Sequence, residues 1–600
     1  RFNKVANIIG QSMQYHPHGD ASIGDALVNL GQKDLLIDTQ GNWGDVRTGD
    51  QAAASRYIEA RLSKFALEVA FNAKTTTWQL SYDGRKNEPV TLPMKFPLLL
   101  AQGADGIAVG LSTKILPHNF CELIDASIKY LKGKKFEIFP DFQTGGMVDV
   151  SGYNEGKRGG KVRVRAHIEE LDKKTLVIKD VPYGVTTTQL MESITKANDQ
   201  GKIKIKKVTD VTAAAVEIHI DLAPGISPDI TIDALYAFTD CEVSISPNAC
   251  VVINHKPHFI GVQELLKDAT DNTKELLRKE LDIRLSELED KWHYTSLEKI
   301  FFEEKIYKEL EQKHASWENV IEAIDKAFTP FKKKLKRAIE REDILKLTEK
   351  PVRRIYRLDI NELIEQIRGI EEEIKQVKFD LEHLTEYAVA YFENLLKKYG
   401  KNKERKTEIK AFDTIQVKQV AIANTKLYIN RAEGFIGTSL KKDEHLCDCS
   451  DYDDIIAFTK AGTMKVVKVS DKIFIGKDIL YAAVFQKNDE RTTYNMIYVD
   501  GASGVSYAKR FNVTGITRDK EYELTKGTDK TRVHYFTANL NGEAETLKLI
   551  LSPNCTARIK ELDFYFEEIE IKGRSSMGNQ VTKYPIKTVK FKEAGKSTLA

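Results

Sequence analysis

Residues 363–395 read LIEQIRGIEEEIKQVKFDLEHLTEYAVAYFENL, and this stretch carries the clearest periodicity in the chain. Its apolar positions alternate in steps of four and three, with charged residues between them: Leu363, Ile367, Ile370, Ile374, Val377, Leu381, Leu384, Ala388, Tyr391 and Leu395. This spacing predicts a coiled-coil seam. At about 1.5 Å per residue, a continuous helix over the stretch would be a rod of roughly 50 Å.

A seam of that length needs a partner helix. The matching spacing occurs upstream, at Leu277, Leu281, Leu285 and Leu288. Together the two segments predict a long antiparallel helical hairpin. The residues between them, from about Tyr294 to Asp359, carry further helical patterns and would form a globular knob at its tip.

The composition is that of a folded protein with several domains. At about 150 residues per domain, 600 residues suggest roughly four domains. Hydrophobic residues make up 42% of the chain and charged residues 30%, which argues against disorder. The 91 Lys and Arg against 88 Asp and Glu leave a net charge of +3, which neither requires nor excludes a polyanionic partner.

The compartment is predicted from what the sequence lacks. No apolar stretch approaches the roughly 20 residues of a membrane span. The six cysteines form no CxxC pair, which suits a reducing compartment such as the cytoplasm. The chain starts at Arg1 without a signal pattern, which predicts that the numbering begins inside a longer protein.

The first 65 residues predict two short helices separated by the turn HPHGD at 16–20. Pro17 and Gly19 break any continuous helix there. Residues 21–30 then place Ile23, Ala26, Leu27 and Leu30 on one face of an amphipathic helix. The second helix of such a pair commonly enters a DNA major groove, although many helix pairs bind nothing.

Between about residues 96 and 262 the periodicity predicts a mixed α+β unit. Basic and apolar residues alternate over 161–166, and a second apolar run follows at 176–178. The basic face of the first strand, with Lys161, Arg163 and Arg165, either touches a phosphate backbone or, as is more common, is simply solvated.

The last third of the chain predicts repeated β-blades. A basic stretch at 399–410, where the heptads stop, is interpreted as a linker. Four short β-rich runs follow, at 427–429, 455–458, 496–499 and 533–536, and most are followed by a glycine. A propeller-like arrangement accounts for this degenerate repeat.

Ordered motifs in the first half resemble one known family. HPHGD at 16–20, QGNWG at 40–44 and AAASRYIEARL at 52–62 look like the signature of type IIA DNA topoisomerase A subunits. Similar segments follow in family order: LPMKFP at 92–97, GIAVG at 106–110, Ile115-x-Pro117-His118-Asn119 and TGG at 144–146. The resemblance covers at least residues 1–400 and is closest to the topoisomerase IV branch of the bacterial family, which is similar to DNA gyrase.

The resemblance implies a multidomain α+β fold. Its expected domains are a winged-helix DNA-cleavage domain at 1–95 that lacks its N-terminal part, an α+β tower at 96–262, a long antiparallel coiled coil with a helical dimer-gate knob at 263–398, the basic linker at 399–410, and a C-terminal β-pinwheel at 411–600 that need not be complete.

The chemistry of strand passage can be reasoned beside the resemblance. Cutting DNA without losing bond energy requires a nucleophile that keeps the phosphate as an ester, which tyrosine can do. A phenol with an ordinary pKa of about 10 needs activation, and the charge developing at phosphorus needs a cation. The resemblance implies Tyr57 as the nucleophile and Arg56 as the phosphate support. The alternative for Tyr57 is a half-buried aromatic on an Ala-rich helix.

Further site residues are carried over by resemblance. The implied DNA contacts are His16, His18, Gly19, Ser22, Gln40, Asn42, Ser55 and Ile115. Ile115 would be the wedge that inserts between base pairs and bends the DNA. Ala21 and Asp25 occupy the positions of the family's drug pocket, with alanine where the family has serine. The alternatives are turn-stabilising histidines and a core isoleucine, and the group that accepts the tyrosine proton stays open.

The chain shows no acidic cluster like that of the family's metal-binding domain and no ATP-binding motif, so no metal site is expected in it. The resemblance implies that Mg²⁺ and ATP are held by a separate B subunit, in an A2B2 assembly acting on double-stranded DNA. Residues 572–578 match the gyrase-specific box poorly, which favours decatenation and relaxation by topoisomerase IV over supercoiling by gyrase. A DNA-bending architectural protein and a coiled-coil scaffold are the non-enzyme alternatives.

Overall fold

The chain folds as mixed helices and sheets, as predicted, and its buried side chains form several separate cores. The structure is a computed structural model that describes residues 1–313, 316–350, 360–413, 415 and 424–598. None of its described helices combines the length and the apolar composition needed to cross a bilayer.

The N-terminal unit, residues 1–62, packs two helices on a three-stranded antiparallel sheet of order β1-β3-β2. Its elements are β1 (Asn3–Lys4), α1 (Val5–Ser12), α2 (Asp20–Gln32), β2 (Ile37–Gln40) and β3 (Glu59–Leu62). The predicted break between the helices is confirmed. Within the predicted apolar stripe of α2, however, Ala26 is exposed, and the buried positions are Gly24 and Gly31. A Cβ at Gly31 would lie 2.5 Å from the Trp43 ring, so glycine there lets α2 approach that ring closely.

The central unit surrounds a core of aromatic side chains. Its first elements are α3 (Lys64–Val69), β4 (Trp78–Leu80), β5 (Asn87–Pro89), α4 (Leu98–Gln102), β6 (Ala104–Ala108), β7 (Leu111–Ile115), α5 (Phe120–Leu131), β8 (Met147–Asp149) and β9 (Val162–Arg165), with a 3-10 turn at Asn154–Gly156. The Phe65 ring meets those of Phe96 and Phe120 edge to face at centroid distances of 5.1 and 5.4 Å. This core also includes Val262 and Phe392, so the domain boundaries predicted at 95/96 and 262/263 run through it.

The lateral unit, residues 166–241, is a four-stranded antiparallel sheet of order β10-β11-β13-β12 with two helices packed on it. Its elements are β10 (Ile168–Asp172), β11 (Thr175–Ile178), α6 (Thr187–Asp199), β12 (Ile205–Asp210), β13 (Ile218–Leu222) and α7 (Pro228–Phe238). The chain then returns to the central unit through β14 (Glu242–Ile245), β15 (Cys250–Ile253) and β16 (Lys256–Phe259). The strands predicted at 161–166 and 176–178 are confirmed, as β9 and β11.

Both arginines of the basic strand are bonded to one acidic residue. Arg163 Nε lies 2.8 Å from Glu242 Oε1, and Arg165 Nε lies 2.5 Å from the other oxygen of the same carboxylate. The Arg165 guanidinium also lies over the Phe412 ring, 4.3 Å from its centroid. The simply solvated face expected for these two arginines is therefore wrong, because both pair with Glu242 on the neighbouring strand β14.

A helical hairpin and knob extend from the central unit. Their elements are α8 (Val262–Glu303), a 3-10 segment (Ile306–Leu310), α9 (Trp317–Phe328), a second 3-10 segment (Thr329–Lys334), α10 (Arg341–Thr348), α11 (Ile360–Glu382) and α12 (Leu384–Tyr399). Trp292 on α8 donates to Glu371 at 2.9 Å, while Lys274 donates to Thr385 at 2.8 Å. As α8 proceeds from residue 274 to residue 292, its partner residues on the other arm go back from 385 to 371. The predicted antiparallel arrangement of the hairpin is therefore confirmed.

The predicted rod is interrupted at His383, whose backbone is not helical (φ −115°, ψ 45°). α11 has 23 residues, which gives about 35 Å at about 1.5 Å per residue. From Ile367 to Tyr387 the seam packs on α8, whereas Phe392 and Leu395 join the aromatic core of the central unit. The single rod of about 50 Å is therefore wrong. The helix is interrupted at His383, and its apolar residues divide between the core on α8 and the aromatic core of the central unit.

The knob has its own core, as predicted. Side chains from the end of α8, from α9 and from α10 bury each other there, including Phe301, Ile324, Phe328 and Leu347. The predicted knob extended to Asp359, and residues 351–359 lie outside the described part of the chain.

The C-terminal β-domain contains four described sheets. Its strands are β18 (Thr425–Asn430), β19 (Phe435–Gly437), β20 (Glu444–Cys449), β21 (Asp454–Thr459), β22 (Thr463–Lys468), β23 (Ile473–Phe474), β24 (Ile479–Val484), β25 (Thr493–Val499), β26 (Ser506–Asn512), β27 (Glu521–Glu523), β28 (Arg532–Asn539), β29 (Thr546–Leu551), β30 (Glu561–Tyr565), β31 (Ile571–Gly573), β32 (Asn579–Thr582) and β33 (Ile586–Glu593), following β17 (Glu408–Ile409) of the preceding segment.

The sheet orders are β20-β18-β19-β23, β24-β21-β22-β27, β28-β25-β26-β31 and β30-β29-β33, with β32 also on β26. Each of the first three sheets is completed by a strand that follows the start of the next sheet, so the sheets exchange strands. The predicted run at 533–536 belongs to the third sheet, beside β25. It does not start a sheet of its own, and the fourth sheet is built on β29.

The stretch predicted as a linker, 399–410, is docked on the central unit. β17 pairs in parallel with β8, and Thr407 is fully buried. Both Arg405 Nε and Nη2 donate to the carboxylate of Glu122 at 2.6 Å. The basic residues of this stretch therefore include one that holds the segment in place.

His167 of the lateral unit bonds both to this docked segment and to Asp180, and this pair of contacts is called the clasp below. Its Nδ1 lies 2.6 Å from Asp180 Oδ2 and its Nε2 lies 3.1 Å from Glu408 Oε2. Burial lowers the pKa of the imidazole, but hydrogen bonds to the two carboxylates outweigh burial and raise the pKa above its usual 6.5.

The clasp should weaken as the pH rises. Because the folded pKa exceeds the unfolded value, its stabilisation is complete below about pH 6.5 and is lost as the pH passes the higher folded pKa. Amide hydrogen exchange of residues 408–412, corrected for intrinsic rates, should show more protection at pH 6 than at pH 8. His167→Gln should remove this difference, whereas His219→Gln, whose imidazole pairs with Glu217, should keep it. An unchanged difference in His167→Gln would refute the clasp.

Candidate active site

Tyr57 lies on a turn between the end of an extended loop and β3. Its N–H donates to Ala54 O at 2.8 Å, and the N–H groups of Val5 and Ala6 donate to Ile58 O and Ser55 O at 3.1 Å. The turn is thereby held against the start of α1. The Tyr57 residue is 64% exposed. The alternative of a half-buried aromatic on an Ala-rich helix is therefore wrong.

Positive charge surrounds this tyrosine. The Arg56 guanidinium carbon lies 4.7 Å from the centroid of the Tyr57 ring. Lys4, which belongs to none of the sequence motifs, donates to Tyr57 O at 3.4 Å and pairs with Glu59 at 2.8 Å. One cationic side chain thus lies against the phenol ring, and a second is bonded to the backbone carbonyl of the same residue.

The HPHGD turn presents two histidines to solvent at the start of α2. The rings of His16 and His18 are stacked with centroids 6.2 Å apart, and His16 Nε2 lies 3.6 Å from Glu88. Gly19 is the N-cap residue of α2 and supplies no side-chain cap. The backbone N–H groups of the first turn therefore face outward beside the two imidazoles.

A cavity of about 660 Å³ lies between α1, α2 and residues 45–58, the segment that carries Tyr57 and is called the tyrosine loop below. Ala21 and Asp25, the predicted drug-pocket positions, line it together with Ser55. Gly24 faces both α1 and this loop, since a Cβ there would lie 3.3 Å from Ile9 Cδ1 and 3.9 Å from Ser55 Oγ. Ser22 is exposed and does not line the cavity.

The QGNWG segment shapes the loop that leads to Tyr57. Gln40 and Asn42 are exposed, as DNA contacts require. Asn42 also has a structural role, because its Oδ1 accepts from Gly44 N at 2.9 Å and its carbonyl accepts from Ala53 N at 2.9 Å. Trp43 is buried and donates through Nε1 to Gln40 O at 3.2 Å.

The structure corrects the wedge assignment. Ile115 is only 4% exposed and belongs to the core of the central unit, so it cannot enter DNA without breaking that core. Ile107, in the hairpin formed by β6 and β7, is 92% exposed, and Val109 at the turn is fully exposed. The motif GIAVG at 106–110 carried this signal, since a glycine turn flanked by apolar residues predicts a hairpin tip.

The described residues offer no cluster of metal ligands. No group of three or more His, Cys, Asp and Glu side chains in that part of the chain is arranged so that it could hold a metal ion. The donor set of a bound Mg²⁺ is therefore not found among them.

Two family models match most of this chain. A family model for the A subunit of DNA gyrase/topoisomerase IV matches residues 1–395, and one described as Topoisomerase C-terminal domain, Bacteroidota, matches residues 426–593. The two matches together define one component of a DNA topoisomerase.

Individual relatives point the same way. The DNA topoisomerase 4 A subunit of Borreliella burgdorferi is 38% identical over 596 residues, which are 98% of this chain and 92% of the relative. The DNA gyrase A subunit of Brachyspira hyodysenteriae is 28% identical over 82% of this chain and 65% of its own, and that of Staphylococcus aureus is 34% identical over 49% and 36%. The chain belongs to the family of DNA gyrase and topoisomerase IV A subunits.

Proposed function

We propose that this chain is the DNA-cleaving and rejoining subunit of an ATP-dependent type II topoisomerase, with Tyr57 as the nucleophile. The observation that carries this proposal is an exposed phenol on a turn held by backbone hydrogen bonds, with Arg56 against its ring. The family membership supports it, because the turn lies inside the matched residues.

The reaction follows from the chemistry of a phosphodiester. The phenolic oxygen of Tyr57 forms a bond to phosphorus while the bond from phosphorus to the 3′ oxygen breaks. The phenol loses its proton, the leaving 3′ oxygen gains one, and the 5′ phosphate stays on the enzyme as a tyrosyl ester. Arg56 and Lys4 offset the charge that develops on the phosphoryl oxygens. Attack by the 3′ hydroxyl reverses each of these changes and reseals the strand.

The DNA lies, on this proposal, across the surface that carries the tyrosine. The assigned contacts are His16, His18, Gly19, Ser22, Gln40, Asn42 and Ser55. His16 and His18 donate to backbone phosphates, and the N–H groups at the start of α2 add to that attraction. The cavity lined by Ala21 and Asp25 would take planar drugs beside the cut.

The domain roles are proposed on the same basis. The N-terminal unit would be the winged-helix part, the lateral unit the tower, the hairpin and knob the exit gate between two copies of this chain, and the C-terminal sheets a β-pinwheel. Twofold symmetry would place two Tyr57 residues on opposite DNA strands. Mg²⁺ and ATP would be supplied by a B subunit in an A2B2 assembly, in the cytoplasm.

Mapping the covalent bond tests the proposal directly. The chain is mixed with its cognate B subunit, Mg²⁺ and DNA, and the mixture is then denatured and digested with protease. The peptide that retains nucleotide is sequenced by mass spectrometry. We expect a nucleotide on the peptide that contains Tyr57. Attachment to any other side chain would overturn the assignment.

Between the two activities of the family we propose that of topoisomerase IV, decatenation and relaxation. The relative that covers 98% of the chain carries that name, whereas the gyrase relatives cover less of it. Gyrase-like negative supercoiling is the second candidate, favoured by those same relatives. A plasmid assay with the B subunit separates the two: unlinking of catenated circles without net supercoiling supports topoisomerase IV, and negative supercoiling supports gyrase.

Ile107 should be the residue that bends the DNA. An apolar side chain inserted between base pairs kinks the duplex, so Ile107→Ala should reduce the bend measured by fluorescence energy transfer and slow cleavage about tenfold, without loss of thermal stability. Ile115→Val should do the opposite, lowering stability by about 0.5–1.5 kcal/mol with the bend unchanged. Leu540→Ala, an exposed apolar control in the C-terminal domain, should change neither. An unaltered bend in Ile107→Ala would refute the wedge.

A further inference from the structure

The loop Asp45–Asp50 joins the N-terminal unit to the lateral unit. Asp45 N donates to Asp50 O at 3.1 Å, which closes the loop and leaves Arg47 at its tip. The Arg47 guanidinium binds both carboxylate oxygens of Asp45, with Nε to Oδ1 at 3.0 Å and Nη2 to Oδ2 at 2.6 Å. This fork fixes the direction in which the guanidinium points.

The remaining contacts of Arg47 reach the lateral unit. Its Nη1 donates to Ala214 O at 2.9 Å, across a sequence separation of 167 residues. Its own carbonyl accepts from Thr187 N at 2.8 Å, at the first residue of α6. Arg47 is thus bonded through both its side chain and its backbone to the same neighbouring unit.

The loop is continuous with the segment that carries Tyr57. Ala53 N donates to Asn42 O at 2.9 Å, so the two ends of the loop are paired where the tyrosine turn begins. One side of that turn is held by α1, through Ser55 O and Ile58 O. The other end of the segment is held on the lateral unit by Arg47.

An ordinary surface ion pair would contribute little. The pair of Asp45 and Arg47 differs from an ordinary surface ion pair. Asp45 orients the Arg47 guanidinium, and that guanidinium donates to the carbonyl of Ala214 in the lateral unit. Hydrogen bonding by Arg47 lowers the pKa of the Asp45 carboxyl, so the fork stays charged at neutral pH.

We propose that Arg47 is a positioning residue for strand cleavage: it ties the tyrosine loop to the lateral unit and so holds Tyr57 at the distance from the phosphate that attack requires. The inference rests on the proposed function. Reacting atoms displaced by about 1 Å lose on the order of a hundredfold in rate, so a loosened tether acts on the chemical step and leaves DNA affinity alone.

Two variants cut the tether at different atoms. Arg47→Ala removes the side-chain bonds to Asp45 and Ala214. Thr187→Pro removes the N–H that donates to Arg47 O, at the first helical position, where proline is well tolerated, and it also replaces a buried side chain. In the holoenzyme with saturating DNA, Arg47→Ala should slow single-turnover cleavage about tenfold or more, and Thr187→Pro several-fold, with DNA affinity within about twofold of wild type. The double variant should be little slower than Arg47→Ala, because both cut one tether.

Arg278→Ala is the matched control. Arg278 forms the same fork with Glu275, but within α8, so its loss should leave the cleavage rate unchanged. Wild-type cleavage with an unaltered rate in Arg47→Ala would overturn the positioning role, as would a loss of DNA affinity that accounts for the slower rate. Absence of covalent cleavage in the wild-type holoenzyme would instead refute the proposed function, which keeps the two failures distinct.

Discussion

Tyr57→Phe should abolish covalent DNA cleavage. The substitution removes the phenolic oxygen that forms the ester, so the loss should be on the order of a thousandfold or more. The phenyl ring keeps its stacking with Arg56, and the backbone bonds of the turn do not involve the hydroxyl. DNA affinity and thermal stability should therefore stay at the wild-type level.

The measurement is the yield of denaturant-resistant protein–DNA complexes, formed with Mg²⁺ and the B subunit. Tyr82→Phe is the matched control, because Tyr82 is likewise 64% exposed but lies in the turn that joins β4 and β5. It should trap as much DNA as wild type. Equal trapping by Tyr57→Phe and wild type would show that another side chain is the nucleophile.

Gly44→Ala should have the second largest effect, on both stability and cleavage. Gly44 has φ +76°, and a Cβ there would lie 2.4 Å from Asp50 O and 3.0 Å from Ala52 N. Because both neighbours are backbone atoms, relief requires the loop before Tyr57 to move. We expect a loss of about 2–4 kcal/mol in the unfolding of the N-terminal unit, and cleavage slowed about a hundredfold.

Gly225→Ala separates the two causes of the expected loss of stability, which are backbone strain at a positive φ and the contact of the new Cβ with backbone atoms. Gly225 has nearly the same φ, +79°, but a Cβ there would meet no atom within 4 Å. Its cost should be the conformational strain alone, about 1 kcal/mol, with cleavage unchanged. Unfolding monitored by calorimetry and by Trp fluorescence measures both variants. Equal effects of the two would mean that the contact with Asp50 is relieved without moving the loop.

Much of the fold could be predicted because local patterns decide it. Pro17 and Gly19 exclude a continuous helix between α1, which ends at Ser12, and α2, and the β-rich runs of the last third become strands. The residues that pack against those helices and strands lie far from them in the sequence. A heptad stripe does not reveal that Phe392 and Leu395 will join the aromatic core of the central unit, and the alternation of Arg163 with valine does not reveal Glu242, 79 residues away.

The candidate site divides in the same manner. Tyr57 and Arg56 could be singled out because they stand in an ordered motif, and the exposure of the tyrosine agrees with that assignment. The wedge could not be placed, since Ile107 and Ile115 both lie in apolar segments of one hairpin and only their burial distinguishes them. Lys4 and Arg47 were missed because their importance depends on which backbone carbonyls they reach.

The strand exchange within the C-terminal domain limits how this chain can be shortened. Deleting residues 543–598 would remove β31 and β32 from the third sheet as well as the whole fourth sheet. The edge of β26 would then be free to pair with another molecule, and the buried cations Lys509 and Arg510 would lose carbonyl acceptors from residues 574, 576 and 543. Evolutionary loss or laboratory truncation of one sheet therefore favours aggregation, unless the sheet before it acquires a new edge strand.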